Sequence, residues 1–217
     1  MRKGIAISAA AAALAMTAVS VTPAAASGPY GEILERGPDG VTIEVATING
    51  SGCPKDTAAI ALNKTNDAFT VTYSQYIAQV GGSSKPTDAR KNCQINMIVH
   101  VPQGFTYAVS STDYRGYADL KPGASAQQTA SYYFQGDPRT RRYTYPVKAP
   151  FSDYWQNTDV VDVSQLVWSP CGEQRNFNVN TDLRIETTDA SKVSFIGIDS
   201  TDGSIKTTYH YSWKRCQ

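Results

Sequence analysis

The sequence predicts an all-β chain, an antiparallel β-sandwich of about ten strands with a jelly-roll-like arrangement, and a β-barrel as the alternative. Three observations predict it. The dominant hydrophobic period after residue 27 is two, turn-forming residues separate the alternating runs, and no convincing amphipathic helix interrupts them, apart from one turn near Asp56–Ala61.

The chain begins with an address label. Arg2 and Lys3 form a short basic region, the stretch from Ile5 to Val21 carries no charge, and "TPAAAS" places Ala24 and Ala26 where signal peptidase reads. Residues 1–26 are therefore expected to be a signal peptide, leaving a secreted, extracellular chain that starts near Ser27. The first cysteine, Cys53, comes too late for a lipoprotein anchor, and no later segment is apolar for long enough to span a membrane. Taking Arg2 and Lys3 from the 20 basic residues leaves 18 against 19 acidic ones, a net charge of −1. That balance gives no electrostatic basis for binding nucleic acid or an anionic membrane.

Residues 27–40, "SGPYGEILERGPDG", read as an irregular lead-in. Residues 41–217 read as a single disulfide-stapled β domain, long enough for one core. "VTIEV" and "FTVTY" are short strands. In "CQINMIVHV" Ile95, Met97, Val99 and Val101 share one face, against Gln94, Asn96 and His100. Pro102 and Gly104 in "VPQGF" suit the reversal into "FTYAVSS". The clearest run is "NFNVNTDLRIET", with Phe177, Val179, Leu183 and Ile185 opposed to Asn176, Asn178, Asn180, Asp182, Arg184 and Glu186. "VSFIGI" alternates only loosely, and Asp202-Gly203 in "DSTDGS" signals a hairpin into "IKTTYHYSWKR". There Ile205, Tyr209, Tyr211 and Trp213 oppose Lys206, Thr208, His210 and Lys214.

Cys53, Cys93, Cys171 and Cys216 read as staples. Nothing outside the cytosol keeps thiols reduced, and no two of the four lie close enough in sequence for a metal site. Spacing alone leaves three connectivities open. The pairing expected here is Cys53–Cys93 with Cys171–Cys216, since each bridge then closes one half of the chain. A loop of about 40 residues would contribute on the order of 4 kcal/mol in the chain-entropy picture.

One stretch breaks the pattern. "QGDPRTRRYTYPVKAPFSDYWQNTD", residues 135–159, combines three prolines with several basic and aromatic residues. It reads as a long aromatic and basic loop, and loops of that length carry function. Arg141, Arg142, Tyr143, Tyr145, Tyr154 and Trp155 are the candidate ligand-binding residues, because aromatic rings pack on sugar faces and arginine adds directed hydrogen bonds. A second surface is the polar row Asn176, Asn178, Asn180 and Asp182, whose side chains suit sugar hydroxyls.

Catalytic residues, metal ligands and cofactors are not predicted. His100 and His210 both sit on polar strand faces, no G-x-S-x-G elbow occurs, and no H-E-x-x-H motif is present. Asp113, Glu173, Asp182 and Glu186 are the carboxylates considered for glycoside hydrolysis.

"NGSGCP", "NCQINMIVHVPQGFTYAVSSTDYRGYADL", "YYFQG", "WSPCGEQRNFNVNTDLRI" and "SWKRC" together resemble a family of uncharacterised exported actinobacterial and fungal proteins, domain of unknown function 4360. The resemblance runs from about Val41 to Cys216. It implies a single domain framed by the four cysteines and brings no catalytic residues. Within it, "DYRGYADL" is expected to hold a local Asp113–Arg115 ion pair near a turn at Gly116.

The functional expectation is a non-enzymatic exported module that binds an extracellular glycan, a polysaccharide or cell-wall component. The alternatives are a secreted hydrolase with an unrecognised acid–base pair and a protein-binding module, an inhibitor or envelope factor with a protein partner.

Overall fold

A computed structural model describes residues 32–198 and 207–216. The signal-peptide reading, the "DSTDGS" hairpin and the first residues of "IKTTYHYSWKR" fall outside the described residues. Two antiparallel sheets face each other. The first runs in the order β3 (Ala58–Leu62), β4 (Ala68–Tyr73), β13 (Thr207–Arg215), β7 (Phe105–Leu120), β12 (Ser194–Ile198), β5 (Tyr76–Val80). Its two further strands are β1 (Ile33–Leu34), paired with β13, and β10 (Phe151–Val160), paired with β7. The second runs β2 (Thr42–Asn49), β6 (Arg90–His100), β11 (Asn176–Thr187), β8 (Ala124–Phe134), β9 (Arg141–Lys148). Among the described residues the two sheets are not joined edge to edge, so the molecule is a sandwich and not the alternative barrel. The described residues form thirteen strands, a few more than the ten or so expected. The turn foreseen near Asp56–Ala61 is confined to Pro54–Thr57, and from Ala58 the chain is β3, because Ile60 and its neighbours pair with β4.

Alternation decides the packing. Phe177, Val179, Leu183 and Ile185 of β11 are all buried, as are Ile95, Met97 and Val99 of β6. Facing them from the first sheet is an aromatic layer. Phe69 stacks on Tyr209 at 4.4 Å between ring centroids, and Tyr107 meets Phe134 and Tyr211 edge-on at 5.5 and 5.2 Å. Full burial of each such side chain stabilises the fold by about 1.5–3 kcal/mol. Two polar tips in this core are tied down: the Trp213 indole donates to the Asn66 carbonyl at 2.9 Å, and the Tyr76 and Thr181 hydroxyls share a 2.9 Å hydrogen bond.

β7 organises the first sheet. Along one edge it pairs with β13 from Phe105 to Asp113 and then with β12 around Ala118. Along the other it pairs with β10 over its whole second half. Gly116 therefore lies mid-strand, not at a turn. A Cβ there would sit 2.0 Å from the Gly197 carbonyl oxygen and 2.3 Å from the Trp155 ring. The chain needs glycine at this point because Trp155 lies against the backbone.

The sulfurs are bonded Cys53 to Cys93 and Cys171 to Cys216, with Cα atoms 5.4 and 5.9 Å apart. The first bridge fastens the turn after β2 onto β6. The turn itself is cramped: Gly50 has a φ of +138°, and a Cβ on Gly52 would enter the Tyr76 ring at 2.1 Å.

Residues 135–159 are not a long loop. They form β9, a turn through the cis bond Ala149–Pro150, and β10, so the segment crosses from one sheet to the other. Three prolines hid this from the sequence pattern. Pro146 is accommodated because β9 is an edge strand, where a missing N–H need not break a ladder.

Candidate functional site

The six residues expected to bind a ligand lie in three different environments. Tyr154 stands on the outer face of the first sheet, 61% exposed. Trp155, the next residue, points the other way and is 7% exposed within the core. Consecutive strand residues face opposite sides, so β10 cannot present both rings to one ligand. Tyr143 and Tyr145 turn inward from β9 and tie it to β10, donating to the carbonyls of Val160 at 3.4 Å and Thr158 at 3.0 Å. Burial raises the pKa of both phenols above the usual tyrosine range. Arg141 closes one end of the sandwich through bonds to the Gln165 side chain and carbonyl. Arg142 projects from the outer face of the second sheet, where it is exposed.

Inside the sandwich, beside Tyr145, lies a buried carboxyl. Asp159 is 1% exposed and accepts a hydrogen bond from Tyr132, whose hydroxyl also meets that of Tyr114. Burial raises the Asp159 pKa more than the tyrosine hydrogen bonds lower it. The group braces β10 against β8 and is sealed from any ligand on either outer face.

Two outer faces remain. On the first sheet, Tyr154 of β10 lies directly across from Tyr117 of β7, with ring centroids 5.2 Å apart and planes at 78°. Tyr117 in turn neighbours Phe195 of β12 at 6.0 Å and 30°. Three aromatic rings on three strands thus make one strip on a solvent-facing sheet. Polar groups flank it. The Tyr117 and Ser152 hydroxyls are 3.2 Å apart, and Arg115 pairs in register with Gln156 one step along. Beyond them Asp113 accepts from Thr158 at 2.7 Å and lies 2.9 Å from His210 Nε2. Partial burial pushes its pKa upward, but those two hydrogen bonds prevail and hold the group below the ordinary aspartate value. Among the described residues no Asp113–Arg115 ion pair closes; the cross-strand Thr158 and His210 take the carboxylate, and Arg115 adds only the pull of its charge.

Sequence reasoning missed Tyr117 and Phe195. The signal for Tyr117 was available: within "STDYRGYADL" it shares the parity of Asp113, Arg115 and Asp119, the polar side of the strand.

On the second sheet the outer face is polar and indented. Its depression, about 380 Å³, takes lining residues from β6, β11, β8 and β9, among them Gln94, Asn180, Asp182, Ser131 and Arg142. Asn180 of the anticipated polar row has its side-chain oxygen buried with no hydrogen-bond partner among the described residues. Asn176 and Asn178 are engaged by Asn96 instead, at 2.5 and 2.8 Å.

The carboxylates considered for hydrolysis do not converge. Asp113 and Asp182 lie on opposite outer faces of the sandwich. Asp182 and Glu186 share a face of β11 but stand four residues apart, about 13 Å along a strand, beyond the roughly 5–9.5 Å that glycosidases use. Glu173 pairs with Arg175 at the surface. Among the described residues no group of three or more His, Cys, Asp or Glu side chains could hold a metal.

Comparison with known proteins agrees with the sequence resemblance. An uncharacterised secreted protein of the fungus Arthroderma benhamiae is 36% identical over 179 residues, covering 82% of this chain and 73% of the relative. A solved structure of TmCBM61 in complex with β-1,4-galactotriose covers 82% of this chain and 90% of its own, but at 7% identity and a TM-score of 0.29 the likeness is too slight to bear on fold or ligand. A family model described as "Domain of unknown function (DUF4360)" matches residues 39–216. The chain is thus a member of the DUF4360 family.

Proposed function

We propose that this chain is an exported, non-enzymatic module that binds an extracellular glycan on the outer face of its first sheet. One observation carries the reading: the strip Tyr154–Tyr117–Phe195 is a run of aromatic rings, exposed or half-buried, on an outer sheet face that no element among the described residues covers. Singly exposed apolar residues are commonplace, but a connected row of rings is a binding feature. Such rings cover the apolar faces of sugars, and the flanking Arg115, Gln156 and Ser152 supply directed hydrogen bonds to hydroxyls. The rings are not coplanar, which favours a twisted, hydrated polysaccharide chain over a flat crystalline surface. Export is supported by the signal-peptide pattern, by two disulfides in a chain with no free cysteine, and by the description of the fungal relative as secreted.

The test is affinity electrophoresis and pull-down of the oxidised protein with soluble galactan, xylan, mixed-linkage glucan and purified cell wall, following sugar release in the same samples. Tyr154→Ala and Tyr117→Ala should each weaken retention about tenfold or more while the fold stays intact. Release of sugar in these tubes would replace the proposal with the hydrolase reading. Capture of a protein in place of any polysaccharide would replace it with the protein-binding one.

A further inference from the structure

The outer face of the second sheet lies back to back with the aromatic strip, and its chemistry is different. Arg184 of β11 stands directly opposite Arg90 of β6, so two like charges meet across a strand pair, an arrangement that destabilises a sheet. Arg142 of β9 is opposite Ser131 on the other side of the same depression. Three guanidinium groups line the depression against one carboxylate, Asp182, and Arg90 Nε takes that carboxylate at 2.5 Å. Arg142 and Arg184 have no carboxylate partner among the described residues; Glu186 lies two residues beyond Arg184 and is not part of the lining. The floor carries the opposite need: the Asn180 side-chain oxygen has no donor among the described residues and is covered by its neighbours, so a hydroxyl reaches it once a covering side chain moves aside.

We infer that this depression is a second binding site, for an acidic sugar. An inorganic anion would satisfy the arginines and leave the Asn180 oxygen without a partner. A neutral sugar would satisfy Asn180 and leave the arginines facing one another. A uronate brings both, hydroxyls that donate and a planar carboxylate that matches the guanidinium fork. The depression, about 380 Å³, is within the range of small-ligand sites, roughly 300–1,000 Å³. Most small-ligand sites are largely apolar, whereas this one is lined by amides, hydroxyls and charges, as a sugar requires.

The test titrates the isotope-labelled, oxidised protein with oligomers of galacturonate, glucuronate and guluronate. A neutral galactan oligomer of equal length and dextran sulfate serve as comparisons, and affinities are measured by calorimetry. At least one uronate oligomer should shift the backbone amides of Arg142, Asn180 and Asp182, and its affinity should fall as salt rises from about 50 to 500 mM. Arg142→Gln and Arg184→Gln should each weaken it about tenfold. Both positions are exposed, so a melting curve verifies that each variant is folded. Any of four results would overturn the inference: no binding by any uronate, equal binding by the neutral oligomer, equal binding by dextran sulfate, or shifts confined to the Tyr154 face. The last leaves the aromatic-strip reading standing, and loss of that reading alone leaves the shifts at Arg142 and Asn180 untouched.

Discussion

Replacing Trp155 with alanine separates the two neighbouring rings of β10. The indole is 7% exposed and lies on Gly116, so truncation opens a cavity between the sheets. A buried tryptophan removes about 150–250 Å² from water, and at roughly 25 cal/mol per Å² that amounts to about 4–6 kcal/mol. Measured large-to-small core changes of this kind cost about 3–5 kcal/mol. The indole nitrogen has no hydrogen-bond partner among the described residues, so no bond energy adds to this figure. A loss of about 4 kcal/mol lowers the Tm of a domain of this size by about 8–16 °C. Tyr154→Ala, one residue away, removes a ring already 61% exposed and should cost less than about 0.5 kcal/mol. Calorimetric melts of the two oxidised variants give the comparison directly. If Trp155→Ala melted within about 2 °C of the parent, the ring would not be part of the core, and the account of Gly116 would fall with it.

Other expectations follow from the same structure. Burial raises the Asp159 pKa, so on folding the group holds its proton to higher pH than it does in the unfolded chain. Its contribution to stability is greatest below its unfolded value, about 3.9, and declines as pH rises towards its folded value. Asp159→Asn should therefore gain stability relative to the parent as pH rises above about 4, and a stability difference in urea denaturation that stays constant with pH would refute the assignment. Reduction of the Cys53–Cys93 bridge, which closes a separation of 40 residues, should cost on the order of 4 kcal/mol. A Cys53→Ser, Cys93→Ser double variant as stable as the parent would show that the turn at Gly50–Gly52 holds itself. Tyr117→Ala, on the face that carries Tyr154, should weaken glycan retention while changing the Tm by only a few degrees; unchanged retention would remove the strip from the binding surface.

The parts of the fold legible in the sequence were those where one strand face is apolar throughout. In "NFNVNTDLRIET" and "CQINMIVHV" the buried apolar residues all fall on one face, and the structure pairs these segments in register as β11 and β6. β10 resisted the same reading because its inward face mixes Phe151 and Trp155 with polar residues. Asn157 bonds to Gln128, and Asp159 accepts from Tyr132, so alternation in burial produces no alternation in hydrophobicity. Composition found the right segment and misjudged its shape. The aromatic strip was harder still, since it joins rings from residues 117, 154 and 195, which only the pairing of β7 with β10 and β12 brings together. Arg142 was singled out in the sequence, but its placement beside the polar row of β11 depends on β8 lying between them.

The length of β7 bears on time as well as on shape. Much of its second half is hydrogen-bonded along both edges, to β10 on one side and, on the other, to β13 up to Asp113 and to β12 from Tyr117. Backbone amides in such a strand are released to solvent only when its neighbours open too, so they should be among the slowest in the molecule to exchange with deuterium. Tyr117 is carried on this strand. The middle ring of the aromatic strip is consequently anchored where local opening is rarest, and the edges of either sheet can fray and re-form while that ring keeps its place.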